Sequence, residues 1–122
     1  MAEITILKLA EIDALVRRVL LSSGANAETA EVIADVIVAA ERDGPKSHGL
    51  TGLPNYAMSI RDGWADGCAN PYVDIRAASA IHVNGANGYA QIALQRIRNQ
   101  AVKMARLNGC VVLALRNIHH IG

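Results

Sequence analysis

The sequence predicts a mixed α/β fold, α+β in the order of its elements: an antiparallel helix pair and a third helix, then short strands and a β-α-β unit. Three observations carry this expectation. Apolar residues recur at helical spacing from about Lys8 to the "DGPKSHG" loop, "YVDIRA" and "AIHVNG" show the alternating or β-branched character of strands, and a helix-length segment separates "AIHVNG" from the apolar run "CVVLAL". A helix of crossover length between two strands is the signature of a right-handed parallel connection.

Taken in order, Leu9, Ile12, Leu15, Val16, Val19 and Leu20 form one apolar stripe, which Gly24 ends as a C-terminal cap. Asn26 caps a second helix with Ala30, Ile33, Ala34, Ile37 and Val38 on its apolar side, and Gly44-Pro45 enforces its end. A third helix is expected over about Leu53 to Arg61, with Pro54 in the first turn, where its missing N–H does no harm. "DGWADGCANP" is rich in turn formers and reads as a surface connection. Ala78-Ser79 is the expected turn between the first two strands. "GANG" at Gly85 to Gly88 is expected to open a long helix of about Tyr89 to Leu107, which Asn108-Gly109 ends. "CVVLAL" then reads as a strand buried on both faces. The expected organisation is a single domain over 1–122, helical over 1–62 and α/β over 70–122.

The composition bounds what such a domain can do. Of the 122 residues 52% are apolar, with no Phe and one Trp, so the core must be built from Ala, Ile, Leu and Val. The formal charge of +1, with acids and bases interspersed, provides no field to gather nucleic acid or an anionic membrane. No apolar run reaches the roughly 20 residues of a spanning helix, and no basic region with a hydrophobic stretch marks a signal peptide. A cytoplasmic location is expected. Cys68 and Cys110 lie far apart and outside any Cys-x-x-Cys pair, so two reduced thiols are expected rather than a disulfide or a zinc site.

Two groups carry proton chemistry: "KSHG" at Lys46 to Gly49 and "NIHHIG" at Asn117 to Gly122. An imidazole can give or take a proton at neutral pH, and a neighbouring hydroxyl can orient it or pass the proton on. The second group follows the carboxyl end of a strand in a β-α-β unit, where α/β sheets bind their ligands. Each also has a plainer reading: His48 as a loop histidine capping the next helix, His120 as an exposed chain end. His82 sits in a strand pattern and is assigned to structure. "GANG" could cradle a phosphate, but it matches neither G-x-G-x-x-G nor a Walker motif and is read as a turn. A zinc site built from His48, His119 and His120 is not expected, nor any other metal.

The series "ERDGPKSHGL", "LPNY", "VNGANGYAQIAL" and "GCVVLALRNIHHIG" resembles the N-terminal part of the type-2 malate/L-lactate dehydrogenase family. That family also holds ureidoglycolate, sulfolactate and piperidine- or pyrroline-2-carboxylate oxidoreductases, and the likeness runs from about Leu9 to Gly122. The resemblance implies a malate/L-lactate dehydrogenase-like fold that is not a GxGxxG Rossmann domain, a homodimer, and NAD or NADP as cofactor. It implies that Ser47 and His48 of the Ser-His-Gly motif form a relay pair, with the histidine as proton donor. The family's Asn-x-x-His-x-Gly loop falls on Asn117, His120 and Gly122, so His120 becomes a second catalytic candidate and His120, Ile121 and Gly122 the cofactor contacts. Such roles agree with nicotinamide chemistry, since reducing a C=O or C=N bond requires a proton that the hydride carrier does not supply.

The chain departs from the family at Gly52, where many members carry an arginine that grips the substrate carboxylate, and at Ile118, where a serine is common. Lys46 and Arg116 are the cations available as substitutes. Family members are also much longer, so the chain is expected to be the N-terminal portion of a dehydrogenase acting on a 2-hydroxy/2-oxo acid or a cyclic imino acid, incomplete as a catalyst alone. The alternative is a non-catalytic truncated helical module acting in dimerisation or partner binding.

Overall fold

A computed structural model describes residues 3–119. Its elements are α1 (Leu9–Ser23), α2 (Ala27–Asp43), two short 3-10 turns (Lys46–His48 and Leu50–Gly52), α3 (Leu53–Arg61), β1 (Tyr72–Ala77), β2 (Ala80–Tyr89), α4 (Ala90–Asn108) and β3 (Val112–His119). The expected mixed α/β architecture is the one observed.

The helix ends follow local chemistry. Gly24 and Gly44 both take φ +110° after α1 and α2, a left-handed conformation that costs a glycine little. Asn26 Oδ1 accepts the Thr29 N–H at 2.9 Å, satisfying one donor of the first turn of α2. The chain reverses between the two helices, and Arg17 of α1 bonds Asp13 at 2.8 Å and reaches Asp35 of α2 at 3.8 Å. Their facing sides bury Val16, Leu20, Ile33 and Ile37, and α3 closes this layer with Leu53, Tyr56 and Ile60.

The sheet order is β1-β2-β3, with β1 antiparallel and β3 parallel to β2. Helix α4 makes the crossover, so the expected β-α-β unit is present. Register places Val73, Val83 and Leu115 on one rung and Ile75, Ile81 and Leu113 on another. Their side of the sheet packs on Ala93, Ile97, Ala101 and Met104 of α4.

Four expectations need correction. "GANG" does not open the helix. It belongs to β2, which runs on to Tyr89, and α4 starts at Ala90. The pairing with β3 shifts between Asn84 and Gly88, and Ala86 and Asn87 take φ +52° and +61°. A Cβ on Gly85 would come within 2.6 Å of Ile118 Cγ2, and one on Gly88 would collide with Ala69 Cβ, so both glycines are required by close approach. "CVVLAL" is not buried on both faces: β3 lies at the sheet edge, with Val112 63% exposed while Leu113 and Leu115 turn inward. The connection over 62–71 is only half a surface segment, because Ala65, Gly67 and Ala69 are buried between its exposed residues. His82 is an exposed residue on the side of the sheet away from α4 rather than part of the packing.

Cys68 and Cys110 are free and exposed. Among the described residues no helix is long and apolar enough to cross a membrane.

Candidate active site

The tail of α2 builds the first half of the site. Glu41 reaches past Gly49 and accepts the Leu50 N–H at 2.7 Å, tying the turn before α3 to the helix before it. A Cβ on Gly49 would overlap the Glu41 carboxylate, so glycine at this point permits the tie. Thr51 Oγ1 donates to the Lys46 carbonyl at 2.6 Å and closes the same loop. In the turn held this way, Ser47 Oγ lies 2.9 Å from His48 Nδ1. Both side chains are exposed, and either can donate according to the ring tautomer.

The carboxyl ends of the parallel strands β2 and β3 form the second half. Asn117 takes φ +51° and its Nδ2 donates to Asn84 Oδ1 at 3.1 Å, which bends β3 just before its end. Tyr89 and His119 are register partners at the last rung, with ring centroids 5.8 Å apart in an edge-on arrangement. Tyr89 also meets Tyr56 edge to face at 4.9 Å, and its hydroxyl donates to the Tyr56 carbonyl at 2.8 Å. Gln91 Nε2 in turn donates to the Tyr56 hydroxyl at 3.0 Å. Burial pushes the Tyr89 phenol up to about 12, offset in part by its hydrogen bond with Ser59; burial likewise raises Tyr56 against the Gln91 bond. Both phenols are therefore neutral at physiological pH, serving as wall and hydrogen-bonding frame.

Between these halves lies a cleft of about 190 Å³ lined by Ser47, Gly52, Asn55, Tyr56, Ser59, Tyr89 and His119. Its size suits a single ring or a short acid, well under the ~300–1,000 Å³ typical of sites for larger ligands. Two of the three catalytic candidates lie within the described residues: Ser47 lines the cleft, and His48 is hydrogen-bonded to it without lining the cleft itself. His120, Ile121 and Gly122 lie outside the described residues. His119, next to His120, does line the cleft; the sequence reading singled out the pair but carried only His120 forward as a catalytic candidate. The sequence reading passed over Asn55 and Ser59, whose i, i+4 spacing on the third helix was the available signal. Neither cation considered as a replacement at Gly52 lines the cleft: Lys46 stays outside it, and Arg116 lies in a separate groove with Arg76 and His82. "GANG" provides no phosphate cradle, since its glycines are spent on strand packing.

Comparison with known proteins bears directly on this geometry. The sequence profile of the family described as malate/L-lactate dehydrogenase matches residues 7–122. The chain belongs to the malate/L-lactate dehydrogenase family. It is 40% identical over 106 residues to the Delta(1)-pyrroline-2-carboxylate/Delta(1)-piperideine-2-carboxylate reductase of Pseudomonas syringae pv. tomato, covering 87% of this chain and 31% of that protein. It is also 40% identical over 93 residues to the (2R)-3-sulfolactate dehydrogenase (NADP(+)) of Chromohalobacter salexigens, covering 76% and 28%. The crystal structure of the P. syringae delta1-piperideine-2-carboxylate reductase superposes with a TM-score of 0.91 at 36% identity, over 96% of this chain and 35% of that one. The sulfolactate dehydrogenase from Methanocaldococcus jannaschii superposes with a TM-score of 0.86 at 29% identity, over 97% and 34%. The chain thus spans about a third of the length of the curated relatives it matches.

Proposed function

We propose that the chain provides the proton-handling and substrate-seating part of an NAD(P)-dependent oxidoreductase that interconverts a 2-hydroxy/2-oxo acid or a cyclic imino acid. One observation carries the reading: Ser47, hydrogen-bonded to His48 at 2.9 Å, and His119 line one small cleft at the carboxyl ends of two parallel strands. Nicotinamide supplies the hydride when bound. The chain's own residues do the rest. Ser47 Oγ faces the substrate oxygen or nitrogen, and His48 replaces the proton that Ser47 passes on. Asn55 and Ser59 donate hydrogen bonds to the substrate's polar end, while the Tyr56 and Tyr89 rings form an apolar wall that limits water. His120, Ile121 and Gly122 are proposed as the contacts to the cofactor, with His120 as a second acid–base group.

The names of the relatives support this reaction class, with the imino-acid reductase and the sulfolactate dehydrogenase at equal identity. The shape of the cleft favours the cyclic imino acid. A ring stacks well on the wall formed by Tyr56 and Tyr89. We further propose a cytoplasmic homodimer.

The test is a chimaera in which this chain replaces the matching segment of the P. syringae reductase. Oxidation of NADPH with piperideine-2-carboxylate is the expected result, with His48→Ala and Ser47→Ala each lowering kcat about 10²-fold or more, the usual scale of a lost acid–base group. A folded chimaera that turns over neither imino nor 2-oxo acids, or one indifferent to both substitutions, refutes the proposal.

A further inference from the structure

The sheet has a second face that this reaction does not use. On the side away from α4, Tyr72, Asp74 and Arg76 of β1, His82 and Asn84 of β2 and Arg116 of β3 line a groove of about 170 Å³. Register explains the grouping: Tyr72, Asn84 and Arg116 share one rung, and Asp74, His82 and Ala114 share the next. The small Ala114 side chain leaves the floor open between His82 and Arg116.

The groove has a surplus of donors. Asp74 is occupied by Arg76, whose Nε lies 2.6 Å from its Oδ2. Among the described residues no carboxylate pairs with Arg116. Asn84 Oδ1 already accepts from the Ala86 N–H at 3.0 Å and from Asn117 Nδ2 at 3.1 Å, which leaves the Asn84 amide nitrogen to donate. A guanidinium, an imidazole and an amide nitrogen therefore border one small concavity with a single, already compensated carboxylate. Arginine's planar fork suits an oxyanion with two acceptor oxygens in one plane, and the remaining donors call for a third oxygen. A carboxylate offers two, whereas a phosphoryl group offers three.

We infer that this groove is a binding site for the phosphoryl group of a small phosphorylated ligand. Arg116 grips it, His82 and Asn84 donate further hydrogen bonds, and Tyr72, 69% exposed at the rim, provides a platform for a ring that the ligand carries. The groove is too short, and the chain's net charge of +1 too small, for a nucleic-acid strand.

The experiment is a titration of the 122-residue chain by ¹⁵N–¹H correlation spectra, with inorganic phosphate and adenosine 5′-monophosphate as probes and chloride at matched ionic strength as control. Phosphate is expected to produce saturable shifts at His82, Asn84 and Arg116. Arg116→Ala should weaken phosphate binding about tenfold, the scale of one charge-assisted hydrogen bond, and His82→Ala should weaken it less. Adenosine 5′-monophosphate should bind more tightly than phosphate, with Tyr72→Ala removing the difference. All three side chains are exposed or at the surface, so unchanged far-UV circular dichroism is expected for each variant. Shifts that chloride reproduces, or phosphate affinity that Arg116→Ala leaves unaltered, overturn the site; equal affinity for the two probes overturns the role of Tyr72. The site of the proposed reaction is untouched by either result.

Discussion

Val16, Leu20, Ile33 and Ile37 of the helical layer are sealed from solvent, whereas in the β-α-β layer Val73, Leu113 and Leu115 pack against Ile97 and Met104 while still partly exposed. The first layer is closed by its helices together with Tyr89 at the end of β2 and the loop residues Ala25 and Ala65. The second has α4 on one face of the sheet, nothing among the described residues on the other, and an edge strand in β3. Tyr56 and Tyr89 stand at the seam, and the candidate site opens beside them. The difference teaches where stability and chemistry reside in this chain: the closed layer anchors the Ser47 turn, and the open one brings His119 to it.

If that division is correct, substitutions should scale with closure. Leu20→Ala empties a fully buried position and should cost about 2–5 kcal/mol. Leu113→Ala, only half-buried, should cost clearly less. Urea denaturation with an unchanged slope measures both. Equal losses would mean that the two layers are equally closed in solution.

Next in size is Gly88→Ala, at about 1–3 kcal/mol for overpacking against Ala69. Because Gly88 precedes Tyr89, the same variant should broaden or shift the Tyr89 and His119 ring signals.

Tyr89→Phe sharpens the seam itself. Its hydroxyl bond to the Tyr56 carbonyl should contribute about 1 kcal/mol at neutral pH. The pH dependence gives a more specific signature. A phenol raised to about 12 in the folded chain, against ~10 unfolded, binds its proton more tightly when folded. Its stabilising effect is complete below pH ~10 and is lost as pH rises through about 12. Stability of the wild type should therefore fall across that window, and Tyr89→Phe should fall less steeply. Tyr56 shifts in the same direction, so some slope should persist in the single variant.

These contrasts also explain what could be read in the sequence. The ends of α1 and α2 were legible because Gly24, Asn26 and Gly44 act through their own backbone and side chains, within a turn of where they stand. The start of α4 was legible to within a residue, but the end of β2 was not, since Gly85 and Gly88 answer to Ile118 and Ala69, which are distant in sequence. Apolar runs look alike whether a strand is central or at an edge, so Val112 gave no sign that it would face water. Ser47 and His48 could be paired by adjacency. Asn55, Ser59 and Tyr89 could not be joined to them, because only the packing of α3 against the end of β2 brings them to one cleft.

The smallest expected effect tests the uncovered face of the sheet most directly. Val112 is 63% exposed, and its Cα partner Ala80 lies at the start of β2. Threonine keeps the β-branched shape that a strand favours while adding a hydroxyl that water can satisfy. Val112→Thr should therefore change stability by no more than ~0.5 kcal/mol in dilute protein. In a homodimer that covered this face, the same substitution would place a hydroxyl in an apolar contact, and the cost would grow with protein concentration. Denaturation midpoints at two concentrations separate the cases: a concentration-independent value near wild type keeps Val112 on a free face, and a concentration-dependent loss places that face of the sheet in the dimer contact.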